Sequence, residues 1–102
     1  MTPAILQSNI KAINGLCEHY SVIGLDAFGS VLRKDFTEES DIDFLVRFRR
    51  DGKIDAFRQY FEFKEGLETL LNRKVDLVCE NALRNSYLKR ELKETREPLY
   101  AA

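Results

Sequence analysis

The sequence has 102 residues, 44% of them hydrophobic, and its 16 basic and 17 acidic residues leave a net charge of −1 at pH 7. This length predicts one domain over residues 1–102 with a single core. The balanced charge excludes a global attraction to nucleic acid or to an anionic membrane. No apolar run approaches the roughly 20 residues that a transmembrane helix needs, and no secretory signal is visible at the start.

A helix and a strand are the first predicted elements. Apolar residues recur at spacings of three and four from Pro3 to His19, which predicts an amphipathic helix. Val22–Phe28 predicts a strand, with Asp26 as a solvent-facing carboxylate or, alternatively, a fourth metal ligand. The strand runs into Gly29, which permits a turn, and Ser30, which suits the start of a short helix. Free N–H groups at a helix start bind anions, so this turn predicts a phosphate site.

The next predicted strand follows ten further residues and carries two aspartates. Apolar Ile42, Phe44, Val46 and Phe48 alternate with Asp41, Asp43, Leu45 and Arg47. Residues two apart on a strand share a face, so Asp41 and Asp43 project to one side about 6–7 Å apart. Carboxylates at this spacing can converge on Mg²⁺, which prefers oxygen ligands. Arg47 shares their face and is a candidate substrate contact.

A second helix and a third strand complete the predicted core. The pattern from Lys53 to Asn72 is helical, and a break into two helices near Tyr60–Phe63 is left open. Lys74–Cys79 predicts a strand in which Asp76 points away from the faces of its apolar neighbours. A lone aspartate within a short core strand needs a cation or a hydrogen-bond donor. This places Asp76 beside the two earlier aspartates.

The C-terminal segment and the cysteines indicate no further chemistry. From Glu80 onward many charges of alternating sign predict a solvated helix that ends at Pro98, with a partner-docking face as the alternative. Cys17 and Cys79 lack the spacing of metal ligands, so they are predicted to be free thiols. Free thiols fit a reducing cytoplasm.

The motif of Gly29-Ser30, ten residues, then Asp41-x-Asp43 resembles the nucleotidyltransferase signature of the DNA polymerase β superfamily. The short chain is similar to its smallest branch, the minimal nucleotidyltransferase (MNT) domains of the antitoxin type. The match continues through Ser40–Val46 and through residues 67–78, where the third aspartate of the family lies. Lys34 departs from the pattern, since many members have glycine there.

The resemblance implies an α/β (α+β) fold similar to the polymerase β palm, with a small mixed sheet of three strands flanked by helices. It implies transfer of AMP from ATP to a hydroxyl of a partner protein, with this chain as the antitoxin of a HEPN-domain toxin. The implied Mg²⁺ ligands are Asp41, Asp43 and Asp76, and the implied ATP phosphate contacts are Gly29, Ser30 and Arg33. Asp76 would complete a second metal site or take the proton of the acceptor hydroxyl.

Two other functions compete with this interpretation. A catalytically silent module could neutralise a toxin by contact alone, although such a module need not keep three clustered carboxylates. A small-molecule transferase of the aminoglycoside-modifying kind would be expected to carry an additional substrate-binding domain. The sequence leaves open the nucleotide, the acceptor and the oligomeric state, including a homo-oligomer.

Overall fold

The computed structural model describes residues 4–32, 37, 40–49, 55–80 and 96–102, without the side chain of Ser30. Most of the helix predicted from Glu80 to Pro98, namely residues 81–95, therefore lies outside the described residues. The elements are α1 (Ala4–Gln7), α2 (Ile10–His19), β1 (Val22–Phe28), a 3₁₀ turn (Gly29–Leu32), β2 (Ile42–Phe48), α3 (Ala56–Leu71), β3 (Val75–Cys79) and β4 (Glu97–Ala101).

The described strands form a sheet in the order β3-β2-β1-β4. β1 pairs antiparallel with β2 and with β4, while β2 and β3 run parallel because α3 carries the chain back between them. The predicted α/β class is confirmed. The predicted count of three strands is wrong, because β4 adds a fourth at the edge beside β1.

Strand β4 also corrects the predicted end of the C-terminal helix. Glu97 and Pro98 lie in a strand, with Pro98 opposite Asp26 of β1. Proline has no N–H to donate to a sheet, so its place in a sheet is an edge strand such as β4. The chain returns to the domain after Pro98, since Tyr100 pairs with Leu25 of β1.

The first predicted helix is interrupted at Ser8 and Asn9. The Ser8 hydroxyl donates to the carbonyl of Ala4 at 2.9 Å, and the Asn9 amide donates to the carbonyl of Ile5 at 2.8 Å. Such side-chain bonds compete with the helical hydrogen bonds, which explains the break between α1 and α2.

Helix α3 is continuous through the stretch where a break was considered. It begins after Asp55, whose carboxylate accepts from the N–H of Phe57 at 3.0 Å. It ends at Asn72 in the left-handed conformation, with φ of 53°. Among the described helices, none is long and apolar enough to cross a membrane.

The core lies between the sheet and helices α2 and α3. Its fully buried side chains include Ile13 and Cys17 of α2, Phe44 of β2, and Phe63 and Leu67 of α3. Cys17 and Cys79 are not joined in a disulfide, and burial raises the pKa of the Cys17 thiol to about 12. We call this side of the sheet the helix face.

The opposite side, which we call the aspartate face, carries Asp26, Asp43 and Asp76. This arrangement follows from the burial pattern of β2. Its even-numbered residues are buried in the core, while Asp43 and Arg47 point to the opposite side of the sheet. The sheet thereby separates the residues that build the core from the candidate site.

Candidate functional site

Two of the predicted site residues lie side by side on neighbouring strands. Asp43 of β2 is the register partner of Asp76 of β3, and adjacent strands lie about 4.8 Å apart. Asp76 is exposed between buried Val75 and buried Leu77, so its side chain points to the aspartate face. Residues 33 positions apart in the sequence thus present their carboxylates at one place.

The third predicted carboxylate flanks this pair. Asp41 is exposed and directly precedes β2, whose first residue, Ile42, donates its N–H to the carbonyl of Lys74 at 3.1 Å. Among the described residues, no three His, Cys, Asp or Glu side chains come close enough together to hold a metal ion. Asp41 therefore lies next to the Asp43–Asp76 pair without closing a cluster of three.

Gly29 lies immediately beside the Asp43 carboxylate. A Cβ atom built on Gly29 would collide with Oδ2 of Asp43 and would lie 3.3 Å from its Cγ. Gly29 also has φ of +74°, which residues with a side chain rarely adopt. Steric space and backbone conformation both require glycine here, so the motif glycine leaves room at the carboxylate.

The remaining predicted phosphate contacts are only partly described. The backbone of Ser30 lies in the 3₁₀ turn that begins at Gly29, as expected for a short helical start. Its side chain lies outside the described part of the chain, as do Arg33 and Lys34. Their contacts with phosphate stay a prediction.

Arg73 and Glu68 support the aspartates, a role that the sequence did not suggest. The guanidinium of Arg73 donates to the carbonyls of Thr37 and Ser40 at 2.7 and 3.2 Å. The carboxylate of Glu68 accepts from the N–H of Val75 at 3.0 Å. These bonds fix the chain just before Asp41 and just before Asp76. Both residues lie in the stretch 67–78 that resembles the family, which was the available signal.

A chain of ion pairs crosses the aspartate face next to the site. Arg47 donates to Oε2 of Glu80 through Nε at 2.8 Å, and Arg96 lies 3.7 Å from Oε1 of Glu80. Arg96 also lies 3.3 Å from Oδ2 of Asp26. Burial raises the pKa of the Asp26 carboxyl, and Arg96 partly offsets that rise. Arg47, predicted to contact substrate, is thus held by Glu80.

The donor set fits a hard divalent cation. Asp43 and Asp76 supply carboxylate oxygens from paired backbone positions, and Gly29 keeps the space beside Oδ2 of Asp43 free of side-chain atoms. Mg²⁺ is held in proteins by one or two carboxylates together with substrate phosphates. The residues present therefore suit Mg²⁺ and a phosphate-bearing substrate.

Comparison with known proteins identifies the family to which this chain belongs. The model of the nucleotidyltransferase domain family matches residues 10–99. The chain belongs to this family and is a nucleotidyltransferase, as the motif predicted.

Two similar proteins are named protein adenylyltransferases. A protein of Methanocaldococcus jannaschii with the provisional name protein adenylyltransferase is 39% identical over 79 residues, which is 78% of either chain. The protein adenylyltransferase MntA of Thermococcus cleftensis is 37% identical over 79 residues, covering 78% of this chain and 77% of that protein.

Solved structures share the fold. One provisionally described as a minimal nucleotidyltransferase covers 97% of each chain with a TM-score of 0.78 and 31% identity. A complex of a tri-AMPylated Shewanella oneidensis HEPN toxin with MNT antitoxin matches with a TM-score of 0.66 and 21% identity, covering 94% of this chain and 72% of that one. At 21% identity, the match to this complex shows a shared fold. The expected resemblance to minimal nucleotidyltransferases is confirmed.

Proposed function

We propose that this protein transfers AMP from ATP to a hydroxyl of a partner protein in a Mg²⁺-dependent reaction, within a reducing cytoplasm. The observation that carries the proposal is the pairing of Asp43 with Asp76 on neighbouring strands, with Gly29 leaving space at the carboxylate of Asp43. Relatives of this chain named protein adenylyltransferases support the choice of AMP and of a protein acceptor.

Each site residue has a defined part in this reaction. Asp43 and Asp76, together with Asp41 beside them, would hold Mg²⁺, while Gly29, Ser30 and Arg33 would orient the phosphates of ATP. Bound Mg²⁺ supplies charge neutralisation at the attacking and leaving oxygens of an in-line displacement. The acceptor oxygen bonds to the α-phosphorus, the bond to the β-phosphate oxygen breaks, and pyrophosphate leaves. The hydroxyl proton passes to a carboxylate on the aspartate face.

The proposed partner is a HEPN-domain toxin, with this chain as its antitoxin. An acceptor on a folded protein brings its own surface, so the transferase needs no deep pocket to enclose it. This chain shares its fold with a complex in which an MNT antitoxin binds a tri-AMPylated HEPN toxin, which supports this pairing. Residues 1–102 would act as a single MNT domain in the complex.

The decisive experiment combines the protein with Mg²⁺, ATP and the HEPN-domain protein proposed as its partner, and weighs that partner by intact mass spectrometry. We expect one or more added AMP units with the wild type and none with Asp43→Asn. Asp55→Asn is the matched control, since asparagine also caps a helix and Asp55 lies at the start of α3. An inhibited but unmodified partner would instead indicate neutralisation by contact.

A further inference from the structure

Asp41 lies beside the two paired aspartates, and the backbone on both sides of it is held by the junction between α3 and β3. Before Asp41, the carbonyl of Ser40 accepts from Nη1 of Arg73 at 3.2 Å. After Asp41, the N–H of Ile42 donates to the carbonyl of Lys74 at 3.1 Å. Two consecutive residues of the junction therefore bracket this carboxylate.

The guanidinium of Arg73 holds a second carbonyl as well. The same Nη1 atom donates to the carbonyl of Thr37 at 2.7 Å. Thr37 and Ser40 also bind each other, since the N–H of Ser40 donates to the carbonyl of Thr37 and the N–H of Thr37 donates to Oγ of Ser40, both at 3.1 Å. A terminal guanidinium nitrogen carries two N–H groups in one plane, so it can serve both carbonyls. Arg73 thus fixes two residues that lead the chain to Asp41.

The junction that carries Arg73 is itself held by Glu68 of α3. Asn72 ends the helix in the left-handed conformation, and Arg73 donates its N–H to the carbonyl of Glu68 at 3.3 Å. The side chain of Glu68 accepts from the N–H of Val75 at 3.0 Å. A main-chain oxygen and a side-chain oxygen of one residue therefore hold both ends of the junction, so the guanidinium extends from a fixed backbone.

Asp41 needs this support more than the other two aspartates do. Asp43 and Asp76 lie within paired strands, whereas Asp41 precedes β2. Among the residues that the structure describes, the three aspartates form no closed metal cluster, so the side chain of Asp41 has to move to join the pair on a metal. A ligand whose backbone is already ordered loses less conformational entropy when it binds.

We propose that Arg73 is a positioning residue that holds Asp41 where it can join the other two aspartates on Mg²⁺. It acts through the backbone carbonyls of Thr37 and Ser40. This inference rests on the Mg²⁺ site of the proposed function and extends it to a residue outside the aspartates. Removing a group that orients a metal ligand typically weakens metal binding about 10–100-fold.

Arg73→Gln provides the first test, because a glutamine side chain is too short to reach both carbonyls. Mg²⁺ is titrated calorimetrically in the presence of saturating AMPCPP, an ATP analogue whose α–β phosphate bridge cannot be cleaved. We expect the Kd for Mg²⁺ to rise about 10–100-fold. Arg58→Gln is the matched control, since it removes the same charge from an exposed residue of α3 that pairs with Glu62. This control should keep the wild-type Kd.

Arg73→Lys separates geometry from charge. Lysine keeps the positive charge, but its side chain is shorter and lacks the planar fork of a guanidinium. The wild-type Kd for Mg²⁺ should therefore not be restored in this variant.

A double-mutant cycle with Asp41→Asn provides the third test. If Arg73 acts by positioning Asp41, adding Arg73→Gln to Asp41→Asn should leave the Kd for Mg²⁺ unchanged, because the ligand that it positions is already lost. A general weakening of the fold would instead add its loss to that of Asp41→Asn, since the remaining metal ligands would suffer too.

The outcomes separate this inference from the proposed function. An unchanged Kd in Arg73→Gln, an equal loss in Arg58→Gln, full restoration in Arg73→Lys or an additive loss in the cycle overturns the role of Arg73. A wild type that binds AMPCPP no more tightly with Mg²⁺ than without it overturns the Mg²⁺ site together with this inference. If the Kd values change as expected but the partner gains no AMP, the proposed transfer is wrong and the role of Arg73 stands.

Discussion

The two faces of the sheet differ in what their residues are selected to do. On the helix face, Phe44 and Val46 are at most 1% exposed and pack against α2 and α3. On the aspartate face, Asp43 and Arg47 of the same strand carry charge and make polar contacts. Because alternate residues of one strand serve the two faces, stability and chemistry should respond to different substitutions.

The largest effect is expected on the helix face, from Phe63→Ala. Phe63 is fully buried and packs edge-on against Phe48 with ring centroids 5.8 Å apart. Truncating a buried phenylalanine typically costs about 3–5 kcal/mol of the free energy of unfolding. Urea denaturation measures this loss, and the transfer rate per folded molecule should stay unchanged. A lost rate in the folded fraction would contradict the separation of the faces.

Asp43→Asn tests the opposite face. Loss of a metal ligand should lower the rate of AMP transfer at least ~100-fold, equivalent to about 2.7 kcal/mol of transition-state stabilisation. The Tm without metal should be unchanged or higher, since one of two neighbouring carboxylates is removed. A large fall in the Tm of this variant would show that Asp43 stabilises the fold.

Gly29→Ala should affect both stability and transfer, because Gly29 joins β1 to the 3₁₀ turn beside Asp43. Holding a residue with a Cβ at positive φ costs roughly 1–2 kcal/mol, and the new atom must displace the carboxylate of Asp43. We expect a lower Tm and at least a tenfold slower transfer. Normal transfer by this variant would mean that the space beside Asp43 is not used by the reaction.

The smallest effect is expected from two glycines within helices. Gly15→Ala in α2 meets open space, so it should stabilise the protein by about 0.5–1 kcal/mol. Gly66→Ala in α3 would place a Cβ 3.1 Å from Cδ2 of Leu16, which offsets the same gain. Denaturant midpoints should rank Gly15→Ala above Gly66→Ala. The reverse order would show that α2 and α3 do not approach closely at Gly66.

Local pattern was sufficient for much of this structure. Side-chain direction alternates in any strand. The alternation around Asp43, and the position of Asp76 between Val75 and Leu77, therefore predicted which side of the sheet each aspartate faces. Strand β4 was missed because the charges before Pro98 continue a helical pattern, which Pro98 was expected to end. Only pairing with β1 makes that segment a strand.

The ion-pair chain could not be predicted for a different reason. Asp26, Arg47, Glu80 and Arg96 belong to separate parts of the chain. Nothing in the local composition of any one of them indicates the others, and their meeting depends on the order of the strands in the sheet. Position within the assembled sheet, which the sequence pattern does not contain, decides such contacts.

Asp43 lies opposite Asp76 on the neighbouring strand. An insertion or deletion of an odd number of residues within either strand would therefore turn one of these carboxylates away from the site. Deleting Val75 would move Asp76 to the strand position that faces the core and Leu77 to the position that faces the site. Changes of length outside the strands leave that alternation intact. Relatives should therefore vary in length between their strands while the number of residues within each paired segment is kept.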